Sequence, residues 1–188
     1  PDLEVVGIRG NVDRRLGRLY DADDDRRVDG LVLAAAGLER LGRLSEASEL
    51  LDLATWPTAP AQGALALEVR ADAPASLVDR VAAVDDPATR LAAAAERGVL
   101  AALEAGCSAP IAAHAYIDDG VLTLTATVYA PEGPASASRE PQNETTQLTA
   151  VDTQAVESDR SALDLADRVA ASLLDRGAAR LAPLGGAR

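Results

Sequence analysis

The fold of this chain is decided by the stretch from Ile111 to Tyr129, which reads IAAHAYIDDGVLTLTATVY. Two apolar and β-branched runs flank Asp118-Asp119-Gly120, and an acidic residue followed by glycine is typical of a tight hairpin turn. In the second run, apolar residues at 122, 124, 126 and 128 alternate with threonines at 123, 125 and 127. Because side chains alternate between the two faces of a strand, the pattern predicts an antiparallel sheet with one covered face.

Helical patterns precede and follow this hairpin. Residues 88–104 form an alanine-rich helical stretch that ends at Ala105-Gly106, and glycine is expected where a helix stops. Residues 159–182 predict a last helix, and its apolar side comprises Leu163, Leu165, Val169, Leu173 and Leu174. Between the hairpin and this helix the chain is polar and irregular, with one further strand predicted around 135–139. Residues 86–188 therefore predict a small α+β domain whose antiparallel sheet packs on helices.

The first part of the chain has a different pattern. The apolar run at residues 5–8 predicts a buried strand, and residues 31–35 predict a second one. Between them, Asn11 is a suitable N-cap for a helix that continues to Tyr20. A strand, a helix and a strand in this order are typical of a parallel α/β unit.

A proline-rich crossing at residues 56–60 separates the two parts and predicts a linker. Helical or turn-rich residues lead up to it. After the crossing, the apolar run at 64–69 predicts another strand, and helical periodicity resumes over 77–84. The chain length of 188 residues suits one or two small domains.

The overall charge and cysteine content exclude several classes of protein. The chain carries 30 acidic residues against 18 basic ones, all of them arginine, for a net charge of −12, whereas nucleic-acid binders usually show a basic surplus. A single cysteine excludes an internal disulfide framework. The apolar runs are too short to span a bilayer, and no secretion signal is visible. The acidic, lysine-free composition fits either a GC-rich genome or adaptation to high salt.

Four arginines lie within ten residues, at positions 9, 14, 15 and 18. Arg9 follows a predicted buried strand, and the carboxyl ends of parallel strands are where α/β sheets bind ligands. Guanidinium groups beside a helix N-terminus form a suitable site for carboxylates or phosphates. The alternative is a solvated helix face on which the arginines pair with nearby aspartates.

Cys107, His114 and Gln62 are further candidates. A lone cysteine is most often a small buried residue, and one cysteine with one histidine at this spacing does not form a metal-ligand set, so no metal site is predicted. His114 lies in the middle of a predicted strand, where a packed or rim histidine is expected. An attachment point for a covalent prosthetic group stays open for Cys107. Gln62-Gly63 reads as a turn into a strand.

These pieces, in this order, resemble the hydroxymethylbilane synthase (porphobilinogen deaminase) family of tetrapyrrole biosynthesis. Four ordered matches spread over about 100 residues carry the resemblance, which weakens after Ala130. The matching strings are GIRGNVDRRL at 7–16, LAAAGLERLG at 33–42, AQGALALE at 61–68, and AER at 95–97 leading to LEAGCSAPI at 103–111.

The resemblance implies a dipyrromethane cofactor attached to Cys107 through a thioether. Four porphobilinogen units are added to this primer, each with loss of ammonia, so the growing chain is a polyanion. The cofactor- and substrate-binding arginines of the family fall on Arg9, Arg15 and Arg40, whose planar forks suit carboxylates. Gln62 matches a glutamine that lines the substrate cleft. Ala61 stands where the family usually has glycine.

The resemblance also implies three domains for the whole transferase, two of them similar to the lobes of periplasmic binding proteins. Residues 1–58 are then part of the second α/β lobe, 59–85 a crossover segment of the first lobe, and 86–188 the α+β domain that carries the cofactor cysteine. The general acid/base aspartate of the family is expected in an N-terminal half that this chain lacks. The chain alone is therefore expected to be inactive, and no catalytic residue is assigned.

Three interpretations stay open. The chain is part of the enzyme, a non-catalytic anion-binding or regulatory module that kept the fold, or one chain of a split enzyme that needs a partner chain. For the enzyme, the resemblance implies a cytoplasmic protein that is usually monomeric. Its partners are porphobilinogen and the missing N-terminal half, with no nucleic acid and no membrane.

Overall fold

The structure is a computed structural model of the 188-residue chain, and it describes residues 3–20, 26–106, 109–131, 146–156 and 158–184. The chain divides into two compact units, residues 1–51 and residues 52–188. Helices combined with a small antiparallel sheet confirm the α+β part of the predicted fold class.

The first unit is built on short helices. Its described elements are α1 (Val12–Tyr20), α2 (Ala35–Arg40) and a 3-10 turn (Leu44–Glu46). The predicted start of the first helix is confirmed, because Asn11 Oδ1 accepts a hydrogen bond from Arg14 N at 2.9 Å. Leu16 of α1 and Leu38 of α2 are the buried apolar side chains of this unit.

The predictions of buried strands at residues 5–8, 31–35 and 64–69 are wrong. These segments have no strand structure, and none of their apolar side chains is buried; Val5 is exposed by 89%, Val32 by 71% and Leu65 by 82%. A strand is held by hydrogen bonds to a neighbouring strand, so an apolar run does not make one alone. Within the described residues, no strand pairs with any of the three segments.

The second unit is organised around an antiparallel sheet. Its described strands, in spatial order, are β1 (Ile111–Asp118), β2 (Val121–Tyr129) and β3 (Gln147–Ala155). The predicted hairpin is confirmed, with Ile111 opposite Val128 and a two-residue turn at Asp119 and Gly120. The φ angles of these two turn residues are 45° and 73°, and positive φ at both central positions is what a tight right-twisted hairpin requires.

The sequence pattern did not predict β3. The strand predicted around 135–139 lies outside the described residues. In β3, Ala150 is buried while residues on both sides of it are polar or exposed. The strand therefore lacks the regular alternation of apolar and polar residues that would have predicted it. This strand is defined by its partners instead. It pairs with β2 along its whole length, with Ala150 opposite Ala126.

The helices of the second unit differ from their predictions mainly at their ends. They are α3 (Ala75–Ala82), α4 (Pro87–Ala102), α5 (Asp159–Asp175) and α6 (Ala178–Leu181). The predicted single helix over 159–182 is divided by Gly177, whose φ is 98°. The expected glycine stop after α4 is also wrong, because Glu104 takes the left-handed conformation with φ 50°. Ala105 N then donates to Leu100 O at 2.9 Å, which closes the helix end.

Helices α4 and α5 cover one face of the sheet and form the core with it. The fully buried large side chains are Leu122, Leu124 and Val128 of β2, Val99 of α4, and Leu165, Val169 and Leu173 of α5. The prediction that Leu163 and Leu174 share this face is wrong, since their exposed fractions are 43% and 42%. Alanines 162, 166 and 170 are buried in α5. Small residues there let the helices approach closely.

Gly98 marks the close contact between α4 and α5. A Cβ at this position would lie 2.7 Å from Ala166 Cβ and 3.2 Å from Leu163 Cδ2. We expect Gly98→Ala to lower the free energy of unfolding by about 1 kcal/mol, because overpacking outweighs the gain in helix propensity. Urea unfolding followed by circular dichroism measures this change.

Gly17 provides the matched control, because it lies in α1 and a Cβ added there would meet no atom within 4 Å. Gly17→Ala should stabilise its helix by about 1 kcal/mol, as alanine does in an open helical position. The two substitutions are chemically identical and should have opposite signs. A stabilising Gly98→Ala would show that α4 and α5 do not approach at this residue.

Candidate functional site

The segment before α1 is shaped by Gly10. Its φ is 126°, and a Cβ there would lie 3.2 Å from Arg14 Cδ. This backbone conformation favours glycine, whereas the contact with the flexible Arg14 side chain could be relieved by a small movement. The turn places Arg9 immediately before the capped N-terminus of α1, where its side chain is exposed.

Arg15 is held by the same turn. Its Nε donates a hydrogen bond to Gly10 O at 2.8 Å, and the residue is half-buried. This contact uses one guanidinium donor and leaves both Nη groups for a ligand. Since each Nη carries two N–H groups, the free end of Arg15 can still receive a carboxylate in a bidentate arrangement.

Arg43 behaves differently from the arginines that the sequence singled out. It contacts Asp13 Oδ1 through Nη1 at 2.7 Å and Glu46 Oε1 through Nε at 2.5 Å. Tyr20 adds a hydroxyl hydrogen bond to Glu46 Oε2 at 3.3 Å. The hydrogen bond from Arg43 lowers the pKa of Glu46, and the same contact raises the pKa of Arg43. The guanidinium group of Arg43 is therefore occupied by a structural ion-pair network.

Arg9, Arg15 and Arg40 differ from Arg43 in their pairing. Among the residues that the structure describes, no acidic side chain forms an ion pair with any of the three. Arg40 is exposed in the last turn of α2. That helix lies against α1, because a Cβ on Gly37 would be 3.5 Å from Val12 Cγ2. These three guanidinium groups are therefore available to an anion, as are those of Arg14, Arg18 and Arg27 among the described residues of the same unit.

Gln62 belongs to the second unit, in a turn that has unusual backbone geometry. Ala61 has a φ of 60°, a conformation that favours glycine, at a position where the family resemblance implies that glycine is usual. Gln62 N donates to Ala59 O at 3.0 Å, and the Gln62 side chain is exposed. The turn is thus tight, with the glutamine on its surface.

Sequence reasoning missed Glu96, which is buried to 7% exposure in the middle of α4. Its Oε2 accepts from Ala61 N at 2.5 Å, and its Oε1 accepts from Ala115 N at 2.7 Å. His114 Nδ1 lies 3.8 Å from Oε1, and the ring of His114 stacks on Tyr116. The available signal was an acidic residue between Ala95 and Val99 on the apolar face of a helix.

Cys107 lies outside the described residues, so its predicted role stays a prediction. Gly106 and Ala109, which flank residues 107 and 108, are described, and Ala109 N donates to Gly106 O at 3.0 Å. No group of three or more potential metal ligands occurs within the part of the chain that the structure describes. In the same part, none of the helices is long and apolar enough to cross a membrane.

Comparison with known families settles which family the chain comes from. Residues 1–77 match the model described as porphobilinogen deaminase, dipyromethane cofactor binding domain. Residues 90–175 match the model described as porphobilinogen deaminase, C-terminal domain. The chain belongs to the porphobilinogen deaminase family. The resemblance stated from the sequence is therefore confirmed.

Individual relatives carry the same name. The chain is 56% identical over 138 residues to a porphobilinogen deaminase of Leifsonia xyli, covering 72% of this chain and 41% of that protein. It is 44% identical over 165 residues to one of Corynebacterium diphtheriae, covering 86% and 54%. The chain thus spans about half the length of these two porphobilinogen deaminases.

The family match gives Arg9, Arg15 and Arg40 a defined context. The model that covers residues 1–77 is named for the binding of the cofactor, and Arg9, Arg15 and Arg40 all lie within it. Gln62 also lies within that match, although structurally it belongs to the second unit. Glu96 lies within the match to the C-terminal domain of porphobilinogen deaminase.

Proposed function

We propose that this chain is the cofactor-carrying C-terminal part of a hydroxymethylbilane synthase. This enzyme joins four porphobilinogen units into hydroxymethylbilane and releases one ammonia for each unit. The proposal rests on one structural observation in a known family context. Within the described residues, Arg9, Arg15 and Arg40 stay free of ion pairs in a chain of net charge −12, where acidic partners are abundant.

The chemistry of the arginines fits the proposed ligand. Each pyrrole unit brings an acetate and a propionate, so the cofactor and the growing chain present a series of carboxylates. A guanidinium group stays charged at every physiological pH and matches a carboxylate with two parallel hydrogen bonds. Arginines without an internal acidic partner can bind these carboxylates without first breaking an ion pair within the protein. Gln62 adds an uncharged amide that can donate to the same ligand.

Cys107 is proposed as the attachment point of the dipyrromethane cofactor through a thioether. When bound, the cofactor supplies the pyrrole carbon on which the chain of porphobilinogen units grows. The residues of this chain contribute the anchor at Cys107 and the carboxylate-binding groups. The general acid/base aspartate is expected outside residues 1–188, and no residue of this chain is given that role.

The proposed domain arrangement follows the three-domain pattern of the family. Residues 1–58 are part of the second lobe, which resembles one lobe of a periplasmic binding protein, and residues 59–85 cross to the first lobe. Residues 86–188 form the domain with the cofactor cysteine. The exposed apolar runs at 5–8, 31–35 and 64–69 support this proposal, because they have the composition of sheet strands without a sheet. The proposed enzyme is cytoplasmic and monomeric.

Porphobilinogen turnover by the product of the whole gene tests the proposed function. We expect this protein to consume porphobilinogen and release hydroxymethylbilane and ammonia, and the purified 188-residue chain alone to be inactive. A folded gene product that binds small carboxylates without consuming porphobilinogen would instead identify a non-catalytic anion-binding module. Turnover by the isolated chain would disprove the requirement for residues beyond it.

A further inference from the structure

The free edge of β1 is covered by two different acceptors. Among the residues that the structure describes, β1 pairs with a strand, β2, on one side only, and the N–H groups of alternate residues point to the other side. Ala113 N donates to Thr58 O at 3.0 Å, and Ala115 N donates to Glu96 Oε1 at 2.7 Å. The edge is therefore satisfied by the 58–61 segment and by a carboxylate from α4.

The second oxygen of Glu96 holds the same segment from another direction. Ala61 N donates to Oε2 at 2.5 Å, so one carboxylate joins a strand edge and a loop that are distant in sequence. Glu96 is only 7% exposed, and a buried carboxylate is stable only when its oxygens accept hydrogen bonds. Both of its oxygens do so here. We call this arrangement, formed by Glu96, Ala61 and Ala115, the Glu96 clamp.

The clamp fixes the loop immediately before Gln62. Thr58 is tied to β1 and Ala61 to Glu96, so both ends of residues 58–61 are anchored. Gln62 N then donates to Ala59 O, which sets the backbone that carries the exposed glutamine side chain. Ala61 accepts a left-handed φ of 60° in this arrangement, a strained conformation that the surrounding contacts must maintain.

We propose that Glu96 is a positioning residue, which holds the 58–61 loop against β1 so that Gln62 is presented to the substrate. The proposal rests on the proposed function for the role of Gln62. It assigns Glu96 no contact with the substrate. A carboxylate is suited to this task because it accepts hydrogen bonds from two backbone N–H groups at once, and charge-assisted hydrogen bonds are the strong ones. Glutamine has the same shape but only one oxygen acceptor. Its NH₂ group is a donor, so it cannot accept from the second backbone N–H.

Amide hydrogen exchange in the 188-residue chain tests the clamp independently of activity. In Glu96→Gln, we expect the Ala61 and Gln62 amides to exchange about tenfold faster or more, because the loop loses its charged acceptor. The amides of Leu124 and Ala126 in β2 should keep their rates. Asp167→Asn is the matched control, since it makes the same chemical change at an exposed position of α5. Unchanged exchange at Ala61, or equally faster exchange in β2, would overturn the proposal.

Kinetics of the whole gene product test the link to Gln62. We expect Glu96→Gln and Gln62→Ala each to lower kcat/KM for porphobilinogen by about tenfold, mainly through KM, because a displaced contact weakens substrate binding. If Glu96 acts through Gln62, kcat/KM of the double variant should be no lower than that of the single variant with the lower kcat/KM.

The outcomes separate the two proposals. If the losses of the single variants multiply in the double variant, Glu96 does not act through Gln62 and the positioning role is wrong. If Gln62→Ala lowers kcat/KM while Glu96→Gln leaves it unchanged, the positioning role alone is overturned. If Gln62→Ala has no effect, the role of Gln62 in the proposed function is wrong and the positioning role falls with it.

Discussion

Replacing Arg15 with alanine is expected to lower kcat/KM of the whole gene product for porphobilinogen by about 10- to 100-fold. The structure fixes Arg15 by its Nε contact with Gly10 O and leaves both Nη groups free. Under the proposed function, removing the side chain removes a pre-oriented, charge-assisted pair with a carboxylate of the cofactor or of the growing chain. Initial rates of porphobilinogen consumption at several substrate concentrations measure the loss.

Two further variants show whether the effect comes from the fork of Arg15. Arg15→Lys keeps the charge but not the planar pair of donors, so its activity should lie between those of the native protein and Arg15→Ala. Arg14→Ala removes an exposed neighbouring arginine of the same helix that has no assigned ligand. Equal losses for Arg14→Ala and Arg15→Ala would indicate a general charge effect and would contradict a specific carboxylate site.

Replacing Leu165 with alanine should lower the free energy of unfolding of the second unit by about 3 kcal/mol. Leu165 is completely buried between α5 and the sheet, so truncation loses apolar contacts and leaves a cavity. This is a large part of the roughly 5–15 kcal/mol by which a typical domain is stable. Urea denaturation followed by circular dichroism measures the change.

Leu163 is the matched control for this core substitution. It lies two residues away in the same helix, and the sequence pattern placed it on the same apolar side, but it is 43% exposed. Leu163→Ala should cost less than about 1 kcal/mol, because a large part of its apolar area is already in water and truncation leaves no enclosed cavity. Equal costs for the two substitutions would show that the helix face in contact with the sheet is wrongly assigned.

The parts of the fold that the sequence predicts are those with local signals. The β1–β2 hairpin follows from its Asp-Gly turn and its alternating threonines, and α4 follows from an alanine-rich stretch. The Asp86 cap of α4, which accepts from Thr89 N, is seen only in the structure. The start of α1 follows from Asn11 in the same way. Each of these signals lies within a few residues of the element that it specifies.

The wrong predictions concern features that depend on distant partners. Residues 5–8, 31–35 and 64–69 have apolar composition, but a strand needs a neighbour, which composition does not reveal. Strand β3 is the opposite case, since its own pattern is weak and β2 defines it. Ala61 takes a left-handed conformation although it is not glycine, and its N–H is held by Glu96, which lies 35 positions away in the sequence.

The candidate site shows the same division. Arg9, Arg15 and Arg40 could be chosen from the resemblance to a known family, but only the structure separates them from Arg43, which is occupied by Asp13 and Glu46. The Glu96 clamp was not predictable, because its contacts join residues 35 and 19 positions apart through a helix, a loop and a strand edge. No periodicity in the sequence indicates such a contact.

The attachment of the cofactor at Cys107 is tested most directly by mass spectrometry. Trypsin should release residues 98–139 of the whole gene product as one peptide, because no lysine or arginine lies between Arg97 and Arg139. We expect this peptide to carry the added mass of a dipyrromethane on Cys107, and Cys107→Ala to lack it. A native protein without the added mass, or a Cys107→Ala protein that retains it, would contradict the assignment.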